Sequence, residues 1–290
     1  MTTTLRLLWP QWQGAEPGAV DALTPGLSQE EGRLAYGIGG GITAMLAPPA
    51  AGPTATVPVG DYDAALPKED GIEAKAEVLR QNSDALALIS ASDPDRIVTI
   101  GGDCAVSLVP FSYLADKYGD DFAVVWLDSH ADSNLPHGPN AGLNTMVVTH
   151  LLGKGDEAIL ADLPGTVSPN HVLLAGAHGW DDQDATNVKD WDLAVIEPAE
   201  QSVFVSSVLG WLQASGCRRV AVHFDLDVIA STDVALGMAH EPNAVTAATA
   251  LGTITAIAEQ FELVGLTVAE FVPREAMKLR SILQSLPLFR

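Results

Sequence analysis

The stretch "FAVVWLDSHADSN", Phe122 to Asn134, begins as an unbroken apolar run and ends in two aspartates and a histidine at alternate positions. A run of six apolar residues with no polar alternation suits a strand buried on both faces, the usual condition of a parallel sheet covered by helices. Successive side chains of a strand point to opposite faces. If the chain stays extended past Leu127, Asp128, His130 and Asp132 therefore share one face, where their combined charge calls for a counter-ion.

Working outward, "RIVTIGGD", "HVLLAGAH", "RVAVHFDLD" and "ELVGLTVAEF" have the same character, and "LRLLW" and "LAVIE" are weaker strand candidates. Between them lie helical patterns: "GIEAKAEVLRQNSDALALI", "AVSLVPFSYLADKYG", "VFVSSVLGWLQASG" and "AVTAATALGTITAIAEQF". Strands alternating with helices predict an α/β fold, a three-layer α/β/α sandwich around a mainly parallel sheet. No composition break divides residues 1–290, so one domain is expected. The Gly/Pro-rich segment Gly37 to Gly60 reads as a loop with a short strand packed on that domain.

The chain has 37 acidic residues against 15 basic ones, a formal charge of −22. That excess repels phosphate backbones and anionic lipid, which excludes nucleic acid and membrane as expected partners. With 47% hydrophobic residues there is ample material for a core. The N-terminal "MTTTLRLLWPQWQG" has only a short apolar patch, and Cys104 and Cys217 make no disulfide framework, so a cytoplasmic protein is expected.

Four strand-like runs end in ionisable groups: Asp103 and Cys104; Asp128, His130 and Asp132; Asp225 and Asp227; and Glu270. Ligands of open α/β sheets bind beyond the carboxyl ends of strands. Carboxylates with an imidazole suit Mn²⁺ or a similar divalent ion, and so many acids suit two ions. A lone Asp after a strand is as readily a helix cap or turn former. For Asp225 and Asp227, inside an apolar run, capping is not expected.

The set "GGDC" (101–104), "DSHAD" (128–132), "HFDLD" (223–227) and "EFVP" (270–273) resembles, in order and separation, the signatures GGDH, DAHxD, SxDxD and a late Glu before proline. Those belong to the arginase, agmatinase and formiminoglutamase family, the ureohydrolases. The resemblance implies two Mn²⁺ ions bridged by Asp128 and Asp225, with His130 and Asp227 completing one site and Cys104 and Asp132 the other. It also implies a metal-bridging hydroxide that attacks the carbon of a guanidino or formimino substrate, with Glu270 facing that group. Asn134, Asp181 and Asp184 fall at substrate-binding positions. A homo-oligomer, trimer or hexamer, is implied as well.

Departures from the pattern are local. Cys104 replaces a histidine ligand; either it ligates and shifts metal preference or single occupancy follows, or it is a small buried residue that binds nothing. Asn144 in "NAGLNTMVVTHLLG" stands where a proton-shuttling histidine belongs, and His137 is a nearby substitute out of register. His178 replaces an arginine, and His223 replaces a small residue, a change expected to touch packing. Without the shuttle, a hydroxyguanidine or formimino compound suits the site better than a plain guanidine. Two other readings stay open: a catalytically silent relative that binds ligand or joins an oligomer, and a one-zinc deacetylase-like hydrolase using Asp128, His130 and Asp225. The spare acids Asp132 and Asp227 argue against the second.

Overall fold

The computed structural model describes residues 2–15, 29–60 and 66–289, without the side chains of residues 29–31 and 33. In chain order its elements are β1 (Thr4–Trp9), α1 (Gln29–Leu46), β2 (Thr54–Thr56), α2 (Lys75–Ser92), β3 (Arg96–Gly101), α3 (Leu108–Tyr118), β4 (Phe122–Leu127), α4 (Val147–Leu151) and α5 (Glu157–Ala161). Then come β5 (Val172–Ala175), α6 (Asp182–Asp190), β6 (Ala194–Ile196), α7 (Gln201–Ser215), β7 (Arg219–Asp225), α8 (Ala247–Gln260), β8 (Glu262–Ala269) and α9 (Ala276–Ser285).

The eight strands form one sheet in the order β2-β1-β3-β8-β7-β4-β5-β6, every neighbouring pair parallel. Strand alternation sorts the core into two layers. Phe122, Val124 and Trp126 of β4 pack with Val78, Ala85 and Ile89 of α2 and with Phe111 and Leu114 of α3. Ala123, Val125 and Leu127 face the other way, onto Phe204 and Val208 of α7, Ile254 of α8 and Leu283 of α9. The expected three-layer α/β/α sandwich is therefore present, and its sheet is wholly parallel. No helix among the described residues is long and apolar enough to cross a membrane.

One expectation fails. Much of the segment expected to be loop, Gly37 to Leu46, lies within α1; only β2 matches the short strand foreseen there. In the sequence glycine reads as punctuation, but here it sets packing distance. A Cβ at Gly39 would overlap the Phe271 carbonyl, and one at Gly40 would press on the Gly101 carbonyl, so the glycines let α1 lie directly on the backbone beside the site.

Candidate metal centre

The sheet order explains why distant motifs meet. β3, β8, β7 and β4 are consecutive neighbours, and each is followed or ended by one of the four acidic motifs. Gly102, after β3, accepts a backbone hydrogen bond from Glu270, after β8, at 2.6 Å. Parallel strands put all four carboxyl ends on one edge.

Beyond Leu127 the chain does not stay extended. Asp128 Oδ1 accepts from the His130 backbone N–H at 2.7 Å, folding the chain into a turn, and Asp132 has φ 46°. A left-handed non-glycine residue at a functional edge is a point of stored strain. Glu270, with φ 66°, is a second.

Among the described residues two groups of donor atoms result, each with all atoms within 4.8 Å of one another: Cys104, Asp128, His223 and Asp225, and Asp128, His130 and Asp227. Asp128 belongs to both. Its Oδ1 lies 3.4 Å from His130 Nδ1 and its Oδ2 lies 3.8 Å from His223 Nε2. In the second group His130 Nδ1 is 3.3 Å from Asp227 Oδ2. In the first, the Cys104 thiol donates to Asp225 Oδ2 at 3.0 Å. Asp225 also caps the turn that follows it, its Oδ1 accepting from the Asp227 N–H at 2.7 Å. Capping, thought unavailable inside the apolar run, is thus combined with facing the site: one carboxylate oxygen does each.

His223 was not expected here. Its ring is fully buried and stacked on Trp126, centroids 3.7 Å apart and planes at 10°. Register places Trp126 opposite it on β4, and His223 shares a strand face with Asp225, two residues on. That spacing was a signal the sequence carried. Ser107 Oγ bonds Nδ1 at 2.7 Å, whereas Nε2 has no hydrogen-bond partner among the described residues.

The electrostatics describe a site built for cations. Burial, reinforced by Asp128, pushes the Asp132 carboxyl well above its ordinary pKa, and its Oδ2 is buried without a hydrogen-bond partner among the described residues. Burial also raises Asp225, with Asp227 adding to it, and Glu270, with Asp103 adding to it. The Cys104 thiol is raised by burial and by Asp225. Burial opposes the His130 imidazolium, but Asp227 and Asp128 outweigh it and the pKa rises. Burial lowers His223 to about 4. Clustered acids that cannot ionise together, an unpartnered Asp132 oxygen and an unpartnered imidazole fit the demand of divalent ions.

A cavity of about 370 Å³ opens over these groups, lined among others by Cys104, His130, Asp132, Asp225, Asp227 and Glu270. Asn144, Asp181 and Asp184 also reach its wall. Asn134 does not; it is fully buried, its Oδ1 accepting from Asn140 Nδ2, which also reaches Asp181 Oδ2 at 2.8 Å. Asp181 caps α6, and Asp184 accepts from Ser133 N and Oγ. His137 is exposed and lies outside the cavity lining.

Besides His223, Tyr36, Asn140 and Glu241 were missed. Tyr36 hydrogen-bonds the Glu270 side chain, whose Oε1 also accepts from the Cys104 N–H at 2.9 Å. Glu241 lies 3.9 Å from His130 Nε2 and 3.6 Å from His178 Nε2. All three lie outside the four motifs, on segments with no pattern to mark them.

The arginase family model matches residues 47–282. An arginase of Staphylococcus aureus (strain MSSA476) is 22% identical over 181 residues, 60% of this chain and 60% of that protein. The match thus spans under two thirds of the relative's length. An arginase of Neurospora crassa is 28% identical over 123 residues, 39% of this chain and 34% of its own. Among solved structures, Entamoeba histolytica arginase in complex with L-ornithine superposes with a TM-score of 0.76 at 16% identity, covering 100% of this chain and 99% of the other. Proclavaminate amidino hydrolase from Streptomyces clavuligerus gives 0.68 at 16%, covering 99% and 91%. At such identities these structures establish a shared fold.

Proposed function

This chain belongs to the arginase family, and we propose that it is a divalent-metal-dependent amidinohydrolase cleaving a linear non-peptide C–N bond of a small guanidino, hydroxyguanidino or formimino compound. The observation that carries this reading is Asp128: at the end of a central strand, each of its carboxylate oxygens is turned toward a different donor group. A single zinc site needs one such group, and the second set argues for two ions.

Asp128, His130 and Asp227 would hold one ion, and Cys104, Asp128, Asp225 and His223 the other, with Asp132 beside them. When bound, such ions supply Lewis acidity and acidify water. The remaining chemistry belongs to the chain. Glu270, held by the Cys104 N–H and by Tyr36, presents a carboxylate to a cationic guanidinium or amidinium in the cavity. Asp181 and Asp184, on the wall around Asn140, accept from the far amino end of the substrate. Asn134 acts by positioning Asn140. A single domain over residues 1–290, a trimeric or hexameric assembly, two divalent ions with Mn²⁺ in at least one position, and a cytoplasmic location complete the proposal.

Cys104 and Asn144, both departures from the family pattern, favour one second reading, a binding protein without turnover. The test is elemental analysis of gently purified protein, then a screen for urea, hydroxyurea and ammonia release across guanidino and formimino compounds. About two ions per chain with turnover supports the hydrolase. Bound ions with no turnover on any compound would leave the silent relative, and absence of any metal after loading would remove both ion sites.

A further inference from the structure

Resting on the two-ion reading, we infer that the centre is chemically asymmetric: its buried position is a zinc-type site built by Cys104 and His223, and its outer position is a hard-ion site for Mn²⁺. The two donor groups differ in kind. The outer one has two carboxylates and an imidazole that is about a third exposed. The inner one adds a sulfur, and its four members are all buried.

Three observations make the inner group a site and not a chance cluster. First, His223 Nε2 is buried, has no hydrogen-bond partner among the described residues and lies 3.8 Å from Asp128 Oδ2. Second, its other nitrogen is held by Ser107 Oγ at 2.7 Å and its ring by Trp126, which together fix the orientation of the imidazole; with Nδ1–H donating to the hydroxyl, Nε2 is free to ligate. Third, the four donor atoms lie within 4.8 Å of one another. A tetrahedral zinc with bonds of about 2.0 Å to N and O and about 2.3 Å to S spaces N from O by roughly 3.3 Å and S from O by roughly 3.5 Å. Here Sγ lies 3.0 Å from Asp225 Oδ2 and Nε2 lies 3.8 Å from Asp128 Oδ2, so each pair reaches that spacing by a shift of about half an ångström.

Cys104 stands where the family pattern has its histidine, and His223 where it has a small residue. Each change alone would look like damage. Together they exchange an imidazole-and-carboxylate set for a sulfur, an imidazole and two carboxylates, which favours Zn²⁺ over Mn²⁺. On binding, the ion takes the place of the thiol proton now shared with Asp225, and that proton passes to solvent.

The experiment loads the metal-free full chain with Co²⁺ and records its absorption spectrum, with counting of bound ions. A sulfur-to-cobalt charge-transfer band is expected in the wild type and in Cys217→Ser, whose cysteine lies elsewhere, and should vanish in Cys104→Ser. With equimolar Zn²⁺ and Mn²⁺, one of each should bind; Cys104→Ser should keep the Mn²⁺ and lose selective zinc binding. Ser107→Ala, which only frees the imidazole, should weaken zinc roughly 10- to 100-fold. Two bound ions without a sulfur band would overturn this inference while leaving the two-ion reading intact. No bound ion would overturn both, and unchanged zinc affinity in His223→Gln would remove His223 from the site. Circular dichroism of each variant separates loss of ligand from loss of fold.

Discussion

His223 and His150 are both fully buried, and burial lowers each to a pKa of about 4. They differ in their partners. His150 Nδ1 bonds the Met146 carbonyl at 2.7 Å and its Nε2 accepts from the Asp156 N–H at 3.0 Å, so both nitrogens are used within the fold. His223 has one nitrogen used and the other bare at the edge of an acidic cluster. Burial alone therefore does not mark a ligand. A ring nitrogen left without a hydrogen bond beside a cluster of carboxylates does, since an unsatisfied buried polar atom costs about 1–3 kcal/mol.

The strongest attempt to break this contrast is at Asp128, the residue that joins His223 to the outer group. Asp128→Asn keeps the size and the turn to His130 but removes the charge presented to both groups. Metal-dependent hydrolysis should be abolished and bound metal should fall below one ion per chain, measured by elemental analysis. Full metal content and rate in that variant would disprove the shared-ligand assignment.

The two histidines can be set against each other directly. His150→Gln should cost about 1–3 kcal/mol in urea unfolding, for its two lost bonds, and leave metal content unchanged. His223→Gln loses one hydrogen bond, to Ser107, and the stack on Trp126, and should lower bound metal by up to one ion. Equal effects of the two on metal content would erase the distinction.

What was legible in the sequence follows the same line. Apolar runs ending in acids located β3, β4, β7 and β8, and the parallel order of those strands brought Asp128, Asp225 and Glu270 to one edge. The turn after Leu127 was not legible, because alternation assumes an extended chain while the Asp128 side chain bonds the His130 N–H and ends it. Helix α1 was hidden by its glycines, whose role depends on Phe271, remote in sequence. His223 was in view, two residues before Asp225, but was weighed as packing because no partner for its second nitrogen can be read from a string.

Acid titration sharpens the comparison. A histidine lowered to about 4 stays neutral in the fold while its unfolded counterpart, at about 6.5, binds a proton. Its stabilising share is thus complete above pH 6.5 and lost as pH falls toward 4, about 3 kcal/mol in all. The raised carboxyls of Asp132, Asp225 and Glu270 act with opposite sign, their share being lost as pH rises through the raised values. The difference between wild type and variant isolates each histidine. For His150→Gln that difference should be the same with and without metal. For His223→Gln it should change when metal is bound, because protons and the ion compete for one nitrogen. Urea midpoints at pH 7.5 and pH 5 would measure it, and a metal-independent His223 would fail the test.

The smallest expected effect lies at the cavity wall. Asn144 lines the cavity, its backbone N–H held by the Gly14 carbonyl at 3.1 Å and its Oδ1 buried without a hydrogen-bond partner among the described residues, whereas His137 is exposed and outside the lining. An amide cannot deliver a proton at neutral pH, so a leaving amine gains no general acid from this position. General acid help contributes roughly 10²- to 10⁴-fold, and it contributes least where the leaving group is weakly basic. The wild type should therefore turn over a hydroxyguanidino or formimino compound faster than the matching plain guanidine. Asn144→His should raise kcat/KM for the plain guanidine by more than for the preferred compound, by at most that same span and by less where the new imidazole sits imperfectly. His137→Ala should change neither beyond about twofold, a loss far below that of a general acid. A large rate loss in His137→Ala would move proton delivery to that loop, and equal gains for both compounds in Asn144→His would show that the asparagine sets binding and not protonation.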